Sequence, residues 1–238
     1  ESGTRITLRH LLSMTSGLAG DDPWADRHLD ATAQEMNALY QQGAVYAFAP
    51  GTHFEYSNLG FALIGRVVER VTGRRVRDFV DERFLQPLQM TSTTWDPPFE
   101  HEWAPPTRVQ DGQIIPDGLA PLGDGEIAPM GGLWTTVADL SRWVIWLNEA
   151  NNNVDSKTGQ LSVASRRDMQ VMHSYAGVIA LDGDKAPTGY GYGLMLRDDP
   201  TLGIVNSHSG GVPGYGSNMR WLAGRHIGVV AMSNTTYA

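Results

Sequence analysis

The order of amphipathic patterns in this chain predicts an α+β fold, helices first and consecutive antiparallel strands after. Three observations carry the prediction. The clearest 3.6-residue periodicity spans 59–71, where Leu63, Ile64, Val67, Val68 and Val71 share an apolar stripe opposite Arg66, Glu69 and Arg70. A second stripe, Val137, Leu140, Val144 and Leu147, begins behind Thr136 and Asp139, which have capping-box spacing with Asp in place of Glu or Gln. Beyond Gly189 the period shortens, and 203–206, 218–222 and 227–232 read as strands between Gly-rich turns. Helices followed by a run of strands is the α+β pattern. The expected division is a mainly helical region over 1–175, containing a cleft loop over 97–129, and C-terminal strands over 176–238.

The remaining elements follow in order. Thr7 is placed to cap a short helix carrying Leu8, Leu11 and Leu12, ended by Gly17 and Gly20. A polar loop with Pro23 and Trp24 leads to a helix over 30–40, with Ala33, Met36, Leu39 and Tyr40 on one face. Pro50-Gly51-Thr52 is a turn, and Gly73 terminates the long helix. A further helix from about Arg75 to Phe84 stops before Pro87. The segment 97–129 is rich in Pro and Gly and reads as irregular, a length of loop that marks function or a cover over a cleft. Asn151-Asn152-Asn153 closes the Val137 helix, and Gly191, Tyr192, Leu194 and Leu196 open the strand region.

Composition narrows the function classes. The 238 residues are long enough for a full core, and 41% apolar with 18% charged residues is ordinary for a globular protein. A net charge of -8 disfavours a nucleic-acid surface and reads as simple solubility. No apolar run approaches the ~20 residues of a membrane-spanning helix. The absence of cysteine excludes disulfides, zinc-thiolate sites and thiol catalysis, and leaves the compartment open between periplasmic or secreted and cytoplasmic. The histidines at 10, 28, 53, 101, 173 and 226 lack metal-ligand spacing, and Asp21-Asp22 and Asp198-Asp199 read as polar turns.

Two short motifs carry candidate chemistry. Tyr56-Ser57-Asn58 lies between the Pro-Gly turn and the start of the long helix. A tyrosine there serves as a general base only if neighbouring positive charge lowers its pKa well below ~10. Taken alone, the tripeptide is a packed Tyr followed by a Ser or Asn cap. His208-Ser209-Gly210-Gly211 lies at a strand, where glycines admit a substrate backbone and the Gly211 N–H can serve an oxyanion hole. Taken alone, it is a Gly-rich hairpin with a surface His.

Read together with their surroundings, the segments resemble one family. Ile6-Thr7-Leu8-Arg9-His10-Leu11-Leu12-Ser13-Met14-Thr15-Ser16-Gly17-Leu18, Pro50-Gly51-Thr52 through Tyr56-Ser57-Asn58 to Gly60, Met130-Gly131-Gly132-Leu133-Trp134-Thr135-Thr136, and His208-Ser209-Gly210-Gly211 to Gly214 occur in the order found in serine hydrolases related to penicillin-binding proteins, class C β-lactamases and their esterase relatives. The likeness is greatest to the esterase- and peptidase-like branch, since the third motif begins with His where β-lactamases carry Lys. The resemblance implies a β-lactamase/penicillin-binding-protein-like fold and an acyl-enzyme mechanism on esters, amides or peptides with a D-configured or lactam-like element. It implies Tyr56 as general base or acid, Asn58 as its partner, His208 in an electrostatic role, and Gly210 and Gly211 at the oxyanion site. No metal or organic cofactor is implied.

One part of the family pattern is missing from the sequence. The nucleophile lies on Ser-x-x-Lys, and neither Lys157 nor Lys185 has a serine three residues before it. The expectation is a fragment, truncated before its nucleophile helix and N-terminal strands, inactive alone and prone to self-association through an exposed sheet edge. The alternatives are a catalytically dead member that binds ligands or partners, and a half-site completed by another chain.

Overall fold

The computed structural model describes residues 5–100, 103–152, 161–181 and 184–235. Its helices are α1 (Leu8–Leu12), α2 (Asp22–Ala25), α3 (Ala33–Gln42), α4 (Asn58–Thr72), α5 (Val76–Val80), α6 (Val137–Asn151) and α7 (Val163–Met169). A π-helical turn, Asp81–Leu85, continues α5, and a 3-10 turn, Ala128–Met130, precedes α6. The strands are β1 (Thr107–Gln110), β2 (Gln113–Pro116), β3 (Ser174–Leu181), β4 (Asp184–Tyr190), β5 (Met195–Asp199), β6 (Gly203–Val212), β7 (Tyr215–Leu222) and β8 (Gly228–Ser233). β3 to β8 form one antiparallel sheet in sequence order, and β1–β2 is a separate hairpin. Helices before sheet is the α+β arrangement that the periodicities predict.

Several local expectations hold for identifiable reasons. Thr7 caps α1, with His10 closing the box in place of an acid. The helix expected over 30–40 begins only at Ala33, because Thr32 and Glu35 cap it reciprocally there. Gly73 ends α4 in the left-handed conformation at φ 69°. Thr136 accepts from the Asp139 N–H at the start of α6, while Asp139 turns its carboxylate to Ser92 N, Thr93 Oγ1 and Arg142.

Others are corrected. α4 does not bury its long apolar stripe: Val71 is 79% exposed and Val67 37%, while Ala62 and Gly65 are buried. The reason is close approach, since a Cβ at Gly65 would lie 2.5 Å from Pro129 Cγ. The segment 97–129 is not wholly irregular, because it holds the β1–β2 hairpin with Asp111 and Gly112 at positive φ in the turn. The sheet also starts earlier than the period change after Gly189, with β3 and β4 already paired from Ser174 to Tyr190.

Two apolar clusters flank the sheet face. The larger joins Leu85, Met90, Val144, Trp146, Leu196 and Trp221, linking α6 to β5 and β7. Gln170 fastens it, donating to Leu147 O and accepting from Trp221 Nε1 at 2.8 Å. The second gathers Ala25, Leu29, Met36, Ala62 and Ile127, with Leu59 of α4 and Val212 of β6 packed against it. This second cluster brings the start of α4 to the end of β6, which sets the place of the candidate site.

Candidate active site

The backbone before α4 is held by the segment that follows α1. Glu55 N donates to Met14 O at 2.8 Å, Gly51 N to Thr15 O at 2.7 Å, and Ala47 N to Gly17 O at 2.8 Å. A Cβ on Gly17 would lie 2.1 Å from Phe48 O, so this contact requires glycine. Two stretches distant in sequence thus become one platform, and Tyr56 stands at its end.

Asp21 fixes the start of α4. Its Oδ1 accepts from Asn58 N and its Oδ2 from Leu59 N, both at 2.7 Å, with Ser57 Oγ 3.4 Å away. Ser57 forms no side-chain cap of its own helix, so the capping carboxylate comes from 36 residues away. A negative group at a helix N-terminus satisfies orphan N–H groups and the helix dipole together. Ser57 and Asn58 are buried, 1% and 3% exposed. That arrangement supports a structural role for Ser57.

Tyr56 and His208 are brought together. Their ring centroids lie 6.3 Å apart, and Tyr190 stands 6.3 Å from each. The Tyr190 hydroxyl is 3.2 Å from His208 Nε2, with the donor set by the imidazole tautomer. Tyr190 is fully buried and also touches Phe54 at 5.6 Å. Sequence reasoning missed both Tyr190 and Asp21. Tyr190 lies between Gly189 and Gly191 at a strand end, where no motif marks it, and Asp21 reads from sequence as part of a polar turn.

The glycines of the third motif pair with β7, Gly210 opposite Ser217 and Gly211 opposite Gly216. β5 pairs with β6 only through Ser207, whereas β7 continues to Val212. The stretch 209–211 therefore carries no strand on its second edge among the described residues, and Ser209 and Gly210 are exposed. Strand-edge N–H and C=O groups there can take up an extended ligand.

The Pro-rich segment closes one end of the site. Tyr215 Oη donates to Ala104 O at 2.9 Å, Asn234 Nδ2 to Pro105 O at 2.8 Å, and a Cβ at Gly214 would lie 2.2 Å from Pro106 Cβ. Partial burial pushes the Tyr215 hydroxyl up to about 12, so it remains a donor at neutral pH. Among the described residues no group of three or more His, Cys, Asp or Glu is arranged to hold a metal.

The beta-lactamase family model matches residues 1–238. The chain belongs to the beta-lactamase family of serine hydrolases. Relatives include penicillin-binding protein 4* of Bacillus subtilis, 26% identical over 90% of this chain and 48% of that protein. The D-alanyl-D-alanine-carboxypeptidase/endopeptidase AmpH of Escherichia coli is 25% identical over 95% of this chain and 58% of that one. The chain spans about half the length of the curated relatives it matches. Among solved structures, the octameric penicillin-binding protein homologue of Pyrococcus abyssi superposes with a TM-score of 0.74 at 23% identity, covering 97% of this chain and 54% of that one. A D-stereospecific amidohydrolase from Streptomyces gives 0.74 at 22%, covering 99% and 71%. At such identities these structures show the family fold alone.

Proposed function

We propose that residues 1–238 form the substrate-binding and proton-transfer side of a serine acyl-hydrolase site, whose nucleophilic Ser and Lys lie outside this stretch of sequence. The observation that carries the reading is the convergence of Tyr56 and His208, with Tyr190 bridging them, beside a strand edge containing Gly210 and Gly211. In this reading Tyr56 takes the proton from the attacking serine or returns it to the leaving group, with Asn58 as its partner. His208, held by Tyr190, donates to the substrate carbonyl or carboxylate. The Gly211 N–H supplies one oxyanion donor, and the nucleophile's own N–H supplies the other. Substrates are esters, or amides and peptides with a D-configured element, a class supported by the carboxypeptidase and D-stereospecific amidohydrolase relatives. Residues 1–175 act as the helical side of the cleft and 176–238 as its sheet side.

The decisive experiment is intact mass after treatment with a fluorophosphonate. The 238-residue chain should show no adduct, and the longer parent a single adduct on a serine of Ser-x-x-Lys. A stoichiometric adduct within 1–238 overturns the assignment. A parent with no Ser-x-x-Lys favours the second reading, a ligand-binding member that has lost catalysis.

A further inference from the structure

Four aromatic rings form a continuous ladder beside the third motif. Phe99 meets Trp103 at 5.4 Å, Trp103 meets Trp134 at 5.9 Å and Trp134 meets Tyr215 at 5.1 Å, all near perpendicular. None belongs to either buried cluster. The core tryptophans Trp95, Trp146 and Trp221 are at most 4% exposed, whereas Phe99 is 62% exposed and the other three ladder rings are half-buried. An aromatic surface of this kind, left open at one end, is characteristic of ligand grooves.

The ladder is rigidly mounted. Tyr215 Oη is committed to Ala104 O, and Trp134 Nε1 points to Leu122 O at 3.4 Å. The Trp134 backbone exchanges both hydrogen bonds with Thr94, at 2.8 and 2.9 Å. With those polar atoms engaged, Tyr215 and Trp134 offer a ligand mainly their apolar surface. Pre-ordered rings bind without first losing conformational entropy.

The ladder starts one strand over from the far end of the third-motif strand. Tyr215 is the cross-strand partner of Val212, four residues along β6 from His208. At ~3.3 Å per residue that is about 13 Å.

We infer that the Phe99–Trp103–Trp134–Tyr215 ladder is a distal subsite for an apolar or aromatic group of an extended, peptide-like substrate laid along the 209–211 edge. This rests on the hydrolase-site reading and deepens it. A compact substrate occupies only the His208 end, whereas one spanning four residue steps reaches both. The ladder therefore selects for length and for an apolar terminus.

Three N-acetylated pentapeptide amides test it by calorimetry against the chain as it stands: all-alanine, phenylalanine at the N-terminal position, and phenylalanine at the C-terminal position. One of the phenylalanine peptides should bind about 10-fold more tightly than all-alanine. Phe99→Ala, at an exposed position, should erase that preference, while His208→Ala should weaken all three peptides alike. Equal affinities that fall together with His208→Ala overturn the subsite and leave the hydrolase site standing. A phenylalanine preference removed by Phe99→Ala but indifferent to His208→Ala supports the subsite and counts against the site reading. Failure of all three peptides to bind, or a preference that survives Phe99→Ala, overturns the subsite.

Discussion

At the scale of single residues, Asp21 anchors the start of α4. Its carboxylate accepts two N–H groups at the buried start of α4 and thereby sets where Tyr56 and Asn58 stand. Asp21→Ala should cost about 1–2 kcal/mol, the usual range for losing an N-terminal cap, read as a fall in Tm. Asp21→Asn keeps one acceptor oxygen and should lie between. If Asp21→Ala melts like the wild type, the cap carries no weight. Tyr190 is the second such residue. Tyr190→Phe removes the hydroxyl beside His208 Nε2 and leaves the ring packed against Phe54 and Tyr56. The His208 ring-nitrogen resonances should shift in Tyr190→Phe and keep their positions in an exposed control on another element, such as Tyr46→Phe. Unmoved resonances would dismiss the contact.

At the scale of elements, the strap of 104–107 over the third-motif turn makes a prediction with a definite sign. The Tyr215 hydroxyl titrates higher in the folded chain than its ordinary value of 10. The unfolded chain therefore releases that proton first as pH rises. The strap's contribution is fully present below pH 10 and is lost between 10 and about 12. Trypsin cleavage after Arg108 should accelerate across that window in the wild type, and should already be faster at neutral pH in Tyr215→Phe. Matching pH profiles for the two proteins would refute the strap. The same region shows what the sequence makes legible. Periodicity reveals α3, α4 and α6 because each repeats its apolar residues over ten or more positions. Caps at Thr7 and Thr136 mark helix starts because the side-chain oxygen must precede the orphan N–H groups. β3 and β4 stay hidden because Gly177, Pro187 and Gly189 interrupt any alternation. Asp21 stays hidden because it caps a helix across a loop, and Tyr190 because it meets His208 only once β4, β5 and β6 are registered. Tyr56 and His208 are legible as motifs, but their 6.3 Å approach is a property of the fold.

At the scale of the whole molecule, the sheet ends on a strand poorly protected against pairing. β8 hydrogen-bonds to β7 on one side, and no strand pairs with its other edge among the described residues. Its sequence, Gly-Val-Val-Ala-Met-Ser, contains neither charge nor proline, the usual guards of an exposed edge. Val229 is 64% exposed, Ile227 beside it 56%, and Ile145 on the neighbouring face of α6 58%, so apolar area adjoins the open backbone. The groove between α6 and β8 is lined by Val144, Ile145, Ile227 and Val230. Edge pairing and apolar burial then act in the same direction, and the 238-residue chain should self-associate. Sedimentation velocity at concentrations on the order of 100 µM, within the range where exposed edges aggregate, should show dimers or larger species. Val229→Lys puts a charge on the edge strand without disturbing a buried contact, and should shift the distribution toward monomer. Tyr56→Phe, remote from that edge, should leave the distribution unchanged. A monomeric wild type at that concentration would show that β8 is guarded by some other means, and an unaltered distribution in Val229→Lys would place the association elsewhere.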